Sequence, residues 1–225
     1  MRRVLLVLAL FLCGTVGAFA QSQEYQFLAF SGGDWTNGYP YYIEPVDGPS
    51  TLIYSVMCDD YAHGGQPGDV WDANLTNLGS GIIVNTRFNN LPGPASNYAI
   101  GLYDEAGWIL LQTQNQQSSE WKSMTYAVWH IFDSNAPLFG DAATWLNQAA
   151  AEKQIGFPGV DFNKVYILTP VDQRDPDPNS MQEFMYIGAD PSQDAAQGGQ
   201  TTPEPGTFLL LGSGLLAMLG KKFWN

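Results

Sequence analysis

The chain of 225 residues carries 22 acidic side chains against 9 basic ones, a formal net charge of −13. Such a surface repels a phosphate backbone and argues against nucleic acid as a partner. With 13% aromatic residues and only two cysteines, the fold must rest on apolar packing rather than on disulfides.

Arg2 and Arg3 form a basic start, residues 4–13 an apolar run, and Ala18-Phe19-Ala20 a small-x-small cleavage site. Together they predict a signal peptide over 1–20 and a mature chain starting at Gln21. Cys13 follows Leu12, which is too bulky for a lipoprotein cleavage site. Losing Arg2 and Arg3 takes the net charge from −13 to about −15. That acidity suits solubility outside the cell, and more sharply it suits cation binding in a polysaccharide matrix. Cys58 is then the only mature cysteine, and a lone exported thiol is expected to be buried and inert.

The body, 21–188, begins with strand patterns. Residues 25–30, 41–43 and 51–57 are rich in aromatic and β-branched side chains and are separated by Gly-, Asp- and Pro-containing turns. Further strands are expected at 70–75 and 81–84. The period then changes: Leu102, Ala106, Ile109 and Leu110 mark one helical face, and Trp121, Met124, Val128, Ile131 and Phe132 a second. A third helix is expected from Asp141 as N-cap, with Trp145, Leu146, Ala149 and Ala150 inward, stopped by Gly156-Phe157-Pro158-Gly159. Residues 165–170 and 182–187 predict a closing hairpin. The expected fold is α+β, a mostly antiparallel sheet from N- and C-terminal strands with a central block of about three helices, plus a C-terminal hydrophobic helix.

Residues 189–202 are poor in bulky apolar side chains and predict a flexible linker. Pro203-Glu204-Pro205, a glycine-interrupted apolar stretch over 206–220, and Lys221-Lys222 follow. As a helix, 206–220 spans roughly 22 Å at ~1.5 Å per residue, short of a hydrocarbon core of ~30 Å. It predicts a temporary transmembrane anchor, with Lys221 and Lys222 as the cytoplasmic membrane stop.

This tail, 203–225, resembles the PEP-CTERM sorting domain of exopolysaccharide-producing bacteria. The resemblance implies export, transient membrane insertion and processing by an exosortase-type membrane protease or transpeptidase that releases the body to the surface or matrix. The body more loosely resembles Cys-Gln thioester surface domains, through Met57-Cys58-Asp59-Asp60-Tyr61, Gly68-Asp69-Val70-Trp71, the small-residue helix at Ala106 and Leu110, and the run from Thr125 to Asp133. In that family the Cys thiol displaces ammonia from a Gln carboxamide. The resemblance puts Thr125 where the carboxamide is needed, so it implies a relative without the cross-link and Cys58 as a buried thiol.

Other constellations have bland readings. Cys58, His63 and a carboxylate fit no zinc spacing, and His130 reads as a hydrogen-bonded edge residue. Asp59 and Asp60 would suit glycoside hydrolysis only if both faced one bond, and adjacent strand residues do not; they read as turn-forming aspartates. Asp172, Asp175 and Asp177 read as a solvated acidic loop rather than a Ca²⁺ site. Trp35, among Gly, Asn and Tyr residues, is a candidate glycan contact. No cofactor motif is present. The expected function is that of an exported surface or extracellular-matrix protein with a non-enzymatic adhesive or structural role, with extracellular polysaccharide as a candidate partner. The alternatives are a glycan-acting extracellular hydrolase and a thioester-forming adhesin.

Overall fold

In a computed structural model of the chain, residues 22–49, 52–91, 93, 97–171 and 181–188 are described. The predicted signal peptide, the linker 189–202, the acidic loop at Asp172, Asp175 and Asp177, and the tail with Pro203, Glu204, Pro205, Lys221 and Lys222 lie outside them. Six strands, β1 (Gln23–Phe30), β2 (Tyr41–Pro45), β3 (Tyr54–Cys58), β4 (Val70–Asn77), β5 (Val165–Pro170) and β6 (Phe184–Ile187), frame three helices, α1 (Tyr98–Gln112), α2 (Ser118–Phe132) and α3 (Ala142–Gln154). The α+β class is as expected.

The sheet is wholly antiparallel and closes into a barrel in the order β1-β2-β3-β6-β5-β4, the last strand pairing back onto the first. Closure removes the open edges that a flat sheet of this size would expose. Alternation along each strand sends one set of side chains inward. Phe184 of β6 lies 5.9 Å from Phe27 of β1, 6.0 Å from Tyr41 of β2 and 5.9 Å from Trp71 of β4, centroid to centroid. Aromatic rings from four strands thus fill the barrel, and burying each is worth about 2 kcal/mol or more. A bulge between Phe27 and Ala29 bends β1 out of register with β2. It carries Phe30 and the short turns at Ser31–Gly33 and Trp35–Asn37 away from the strand.

The helices cover the outer face of β3 and β6, α2 packing on the first and α1 on the second. Helix α1 is buried more widely than a single face, with Leu102, Tyr103, Ala106, Gly107, Trp108, Ile109 and Leu110 all enclosed. Its neighbours α2 and α3 take the remaining sides. Gly107 is needed there, since a Cβ would stand 2.6 Å from Leu78 Cδ2.

Two expectations are corrected. Residues 81–84 form no strand: Gly81 turns the chain at φ 68°, Ser80 Oγ accepts the Ile82 N–H, and Ile82 and Val84 are exposed. With β4 already paired on both sides, no edge is left for them. Asp141 occupies the N-cap of α3, but its side chain does not cap; its carbonyl accepts from Thr144 and Trp145 instead. Among the described residues no helix is long and apolar enough to cross a membrane. The predicted anchor lies outside them.

Candidate functional site

Strand β3 ends at Cys58, paired in register with Phe184 of β6. The residue two before Phe184 therefore falls diagonally across from Cys58 on the same face of the ladder. That residue is Gln182. Its Oε1 lies 3.1 Å from Cys58 Sγ, and both side chains are buried. The sulfur also meets the Asp60 carbonyl at 3.2 Å and accepts the Asp60 N–H at 3.3 Å. Burial pushes the thiol's pKa well up, the charge of Asp60 adds to this, and the Asp60 N–H and Trp129 indole oppose it. The thiol therefore keeps its proton and donates it toward a carbonyl oxygen.

Thr125, expected to stand where a carboxamide is required, has a different task. It is fully buried on α2, where its hydroxyl accepts the Tyr39 N–H at 2.9 Å and donates to the Trp121 carbonyl at 3.0 Å. A Cβ on Gly38 would stand 2.7 Å from that hydroxyl. Thr125 fastens the 38–39 turn to α2, and Gln182 supplies the carboxamide at the thiol. The carboxamide in contact with the thiol is thus on β6's approach and not at position 125.

Gln182 is held from both sides. Arg87 Nη2 donates to the Met181 carbonyl at 2.6 Å, its backbone N–H donates to Glu183 Oε2 at 2.8 Å, and Nη1 pairs with Asp60 Oδ2 at 2.8 Å. One residue thereby ties the end of β3 to the approach of β6. Glu183 also accepts from Tyr103 Oη at 2.5 Å and from the Thr169 hydroxyl. Asp59 turns its carboxyl to Glu183 on the side of the ladder away from Cys58. Burial raises both pKa values, with Glu183 adding to the rise at Asp59. Two carboxyls this close share one proton. Glu183 has the donors, so it carries the charge; Asp59, whose oxygens meet no donor, keeps the proton. Asp59 and Asp60, expected as turn-forming aspartates, are thus buried network members.

Beside the Cys58–Gln182 contact opens a cleft of about 210 Å³, with Gln182 in its wall. Phe30, Trp35, Tyr61 and Trp129 make it aromatic, and Asp60 and His63 are its ionisable members. Trp35 is 48% exposed and its ring lies tilted at 6.0 Å from Trp129 and 6.5 Å from Tyr61. His63 Nδ1 lies 2.8 Å from Asp60 Oδ1. Gly65 lets the loop close on the residue before Gln182, since a Cβ there would meet Met181 Cε at 2.6 Å. A glycosidase needs two carboxylates flanking a bond. Here Asp60 lines the cleft and is bound by Arg87 and His63, while Asp59 faces elsewhere. His130 hydrogen-bonds the Ala136 carbonyl at 2.8 Å. Among the described residues no cluster suits a metal ion.

Residues 201–222 match the PEP-CTERM protein-sorting motif. The motif implies exosortase-dependent sorting, with the chain exported, held as a membrane-anchored precursor and processed by an exosortase. No curated protein matches the chain. In structure the body is similar to the N-terminal thioester domain of a surface protein from Clostridium perfringens, with a TM-score of 0.43 and 13% identity over 75% of this chain and 99% of that one. It is also similar to the N-terminal thioester domain of fibronectin-binding protein SfbI from Streptococcus pyogenes, with a TM-score of 0.47 and 9% identity over 79% of this chain and all of that one.

Proposed function

We propose that this PEP-CTERM protein is a surface or matrix adhesin whose body forms an internal thioester between Cys58 and Gln182 and uses it to capture a nucleophile on a target. The single observation carrying the reading is the buried contact of 3.1 Å between Cys58 Sγ and Gln182 Oε1. It holds the sulfur at hydrogen-bond distance from the carboxamide oxygen, the atom bonded to the carbon that the sulfur would attack, beside the β3–β6 ladder. In the forming step the sulfur adds to the Gln182 carbonyl carbon, the C–N bond breaks, and the thiol proton leaves with the nitrogen as ammonia. An incoming nucleophile entering by the cleft then takes the Gln182 acyl group and returns the thiol to Cys58. Each molecule reacts once, so the role is capture rather than turnover. Exosortase sorting would deliver the loaded domain to where targets are met.

Intact mass tests this. The purified protein should weigh one ammonia less than its sequence requires, and methylamine should restore a mass with one methylamide at Gln182 and a free Cys58. Gln182→Ala should abolish both changes. A full sequence mass that methylamine leaves unaltered would remove the thioester.

A further inference from the structure

The cleft beside Gln182 has a composition that selects among nucleophiles, and this inference rests on the thioester reading above. We infer that the group captured is a carbohydrate hydroxyl, with His63 as the general base that takes its proton. His63 and Gln182 line the same cleft. The His63 Nδ1 contact of 2.8 Å to Asp60 Oδ1 makes Nδ1 the donor, because a carboxylate accepts, and leaves the Nε2 lone pair free. Asp60 is itself held at 2.8 Å by Arg87, so the orienting carboxylate cannot swing away. Base and orienter thus line the cleft that Gln182 walls, with the base held by its orienter as activation of a weak nucleophile requires.

A hydroxyl is the nucleophile that most needs such a base. An ammonium target would need an unpaired carboxylate as anchor, and the carboxylate of this cleft is occupied by Arg87 and His63. The remaining walls are aromatic. Trp35 is the exposed ring, backed by Tyr61 and Trp129, and offers an aromatic surface of the kind on which the C–H face of a sugar packs. At about 210 Å³ the cleft is smaller than the ~300 Å³ and upward of drug-sized sites. It suits one sugar ring rather than an oligosaccharide lying lengthwise.

In the transfer the sugar oxygen bonds the Gln182 acyl carbon and the hydroxyl proton passes to His63 Nε2. The C–S bond breaks and the proton is handed on to the Cys58 sulfur. The products are an ester at Gln182 and a free thiol, with no oxidant or co-reactant required.

The test exposes the full-length exported protein to methylamine, glycerol or methyl glucoside and follows adduct mass at Gln182. Wild type should form all three adducts, with methyl glucoside faster than glycerol. His63→Gln should slow ester formation about 100-fold, and amide formation by far less, so that the ratio of hydroxyl to amine capture collapses. Trp35→Ala, which removes a half-exposed ring of the cleft wall, should remove the preference for methyl glucoside over glycerol while methylamine capture persists. Methylamine capture without ester formation, or an unchanged hydroxyl-to-amine ratio in His63→Gln, overturns this inference and leaves the thioester standing. Absence of the methylamine adduct as well overturns both.

Discussion

Gln182 and Cys58 face one another across the β3–β6 ladder at 3.1 Å, although 124 positions separate them in the chain. A covalent bond at that contact closes a long loop, and chain entropy assigns such a closure about 5 kcal/mol of stability. Protein with the bond intact should therefore unfold at markedly higher urea than the same protein after methylamine treatment. Cys58→Ala should match the treated form, since it loses the cross-link but little buried volume. Coincident urea curves for treated and untreated protein would show that no cross-link was lost.

Arg87 should govern both stability and bond formation. Its guanidinium is paired with a buried carboxylate, and removing one partner of such a pair costs about 3 kcal/mol or more. Arg87→Ala also frees the Met181 carbonyl, which loosens the approach to Gln182. The expected result is a lower unfolding midpoint together with a folded population in which part of the molecules retain the ammonia. Arg87→Lys keeps the charge but cannot reach Asp60 and Met181 with a planar fork, so it should fall between. Mass spectrometry on the folded fraction separates this positioning role from a general loss of stability.

The fold class and most elements were legible because their periods are strong: the aromatic alternation of β1 and β2 and the three- and four-residue steps of α1 and α2 come from side chains that pack locally. Residues 81–84 looked like a strand because their apolar content says nothing about whether a sheet edge is available. The barrel was not legible, since closure depends on β4 returning to β1. The site depended on the same long-range fact. Cys58 stood out by its rarity, but Gln182 became its partner only once β6 was placed beside β3 with Phe184 opposite Cys58. Arg87 and Glu183, which hold Gln182, carry no local signature either. The burial of Asp59 and Asp60 had no local signature, because Arg87, Glu183 and His63, which partner them, come from distant or looped segments.

The Asp59–Glu183 pair predicts a dependence on pH. Burial raises both carboxyls above their unfolded values, so the folded state holds the extra proton. Its stabilising contribution is complete below the unfolded carboxyl range near pH ~4 and is lost as pH rises through the folded values. Wild type should thus be more stable at about pH 5 than at about pH 8. Asp59→Asn keeps a donor toward Glu183 and removes the titration, so its curve should be flatter and lie above wild type at the alkaline end. Urea midpoints measured across that range check it, and parallel curves for the two proteins would refute the shared proton.

The sorting motif gives a prediction independent of the site. Residues 201–222 carry the PEP-CTERM motif, and Lys221 and Lys222 form the basic stop behind the apolar stretch. Exosortase recognition should require the Pro203-Glu204-Pro205 step, which supplies two φ-restricted prolines and a carboxylate. Replacing all three by alanine removes the proline restriction and the carboxylate. The variant should then accumulate in the membrane fraction as unprocessed precursor. Changing Lys221 and Lys222 to glutamate should instead impair retention before processing, because acidic residues do not provide the positive flank that sets orientation. Sequencing the C-terminal peptide of the released form decides the matter. Loss of Phe223-Trp224-Asn225 in wild type, and their persistence in the alanine variant, is the expected pair of results; a released wild-type form that still ends in those residues would contradict processing of the tail.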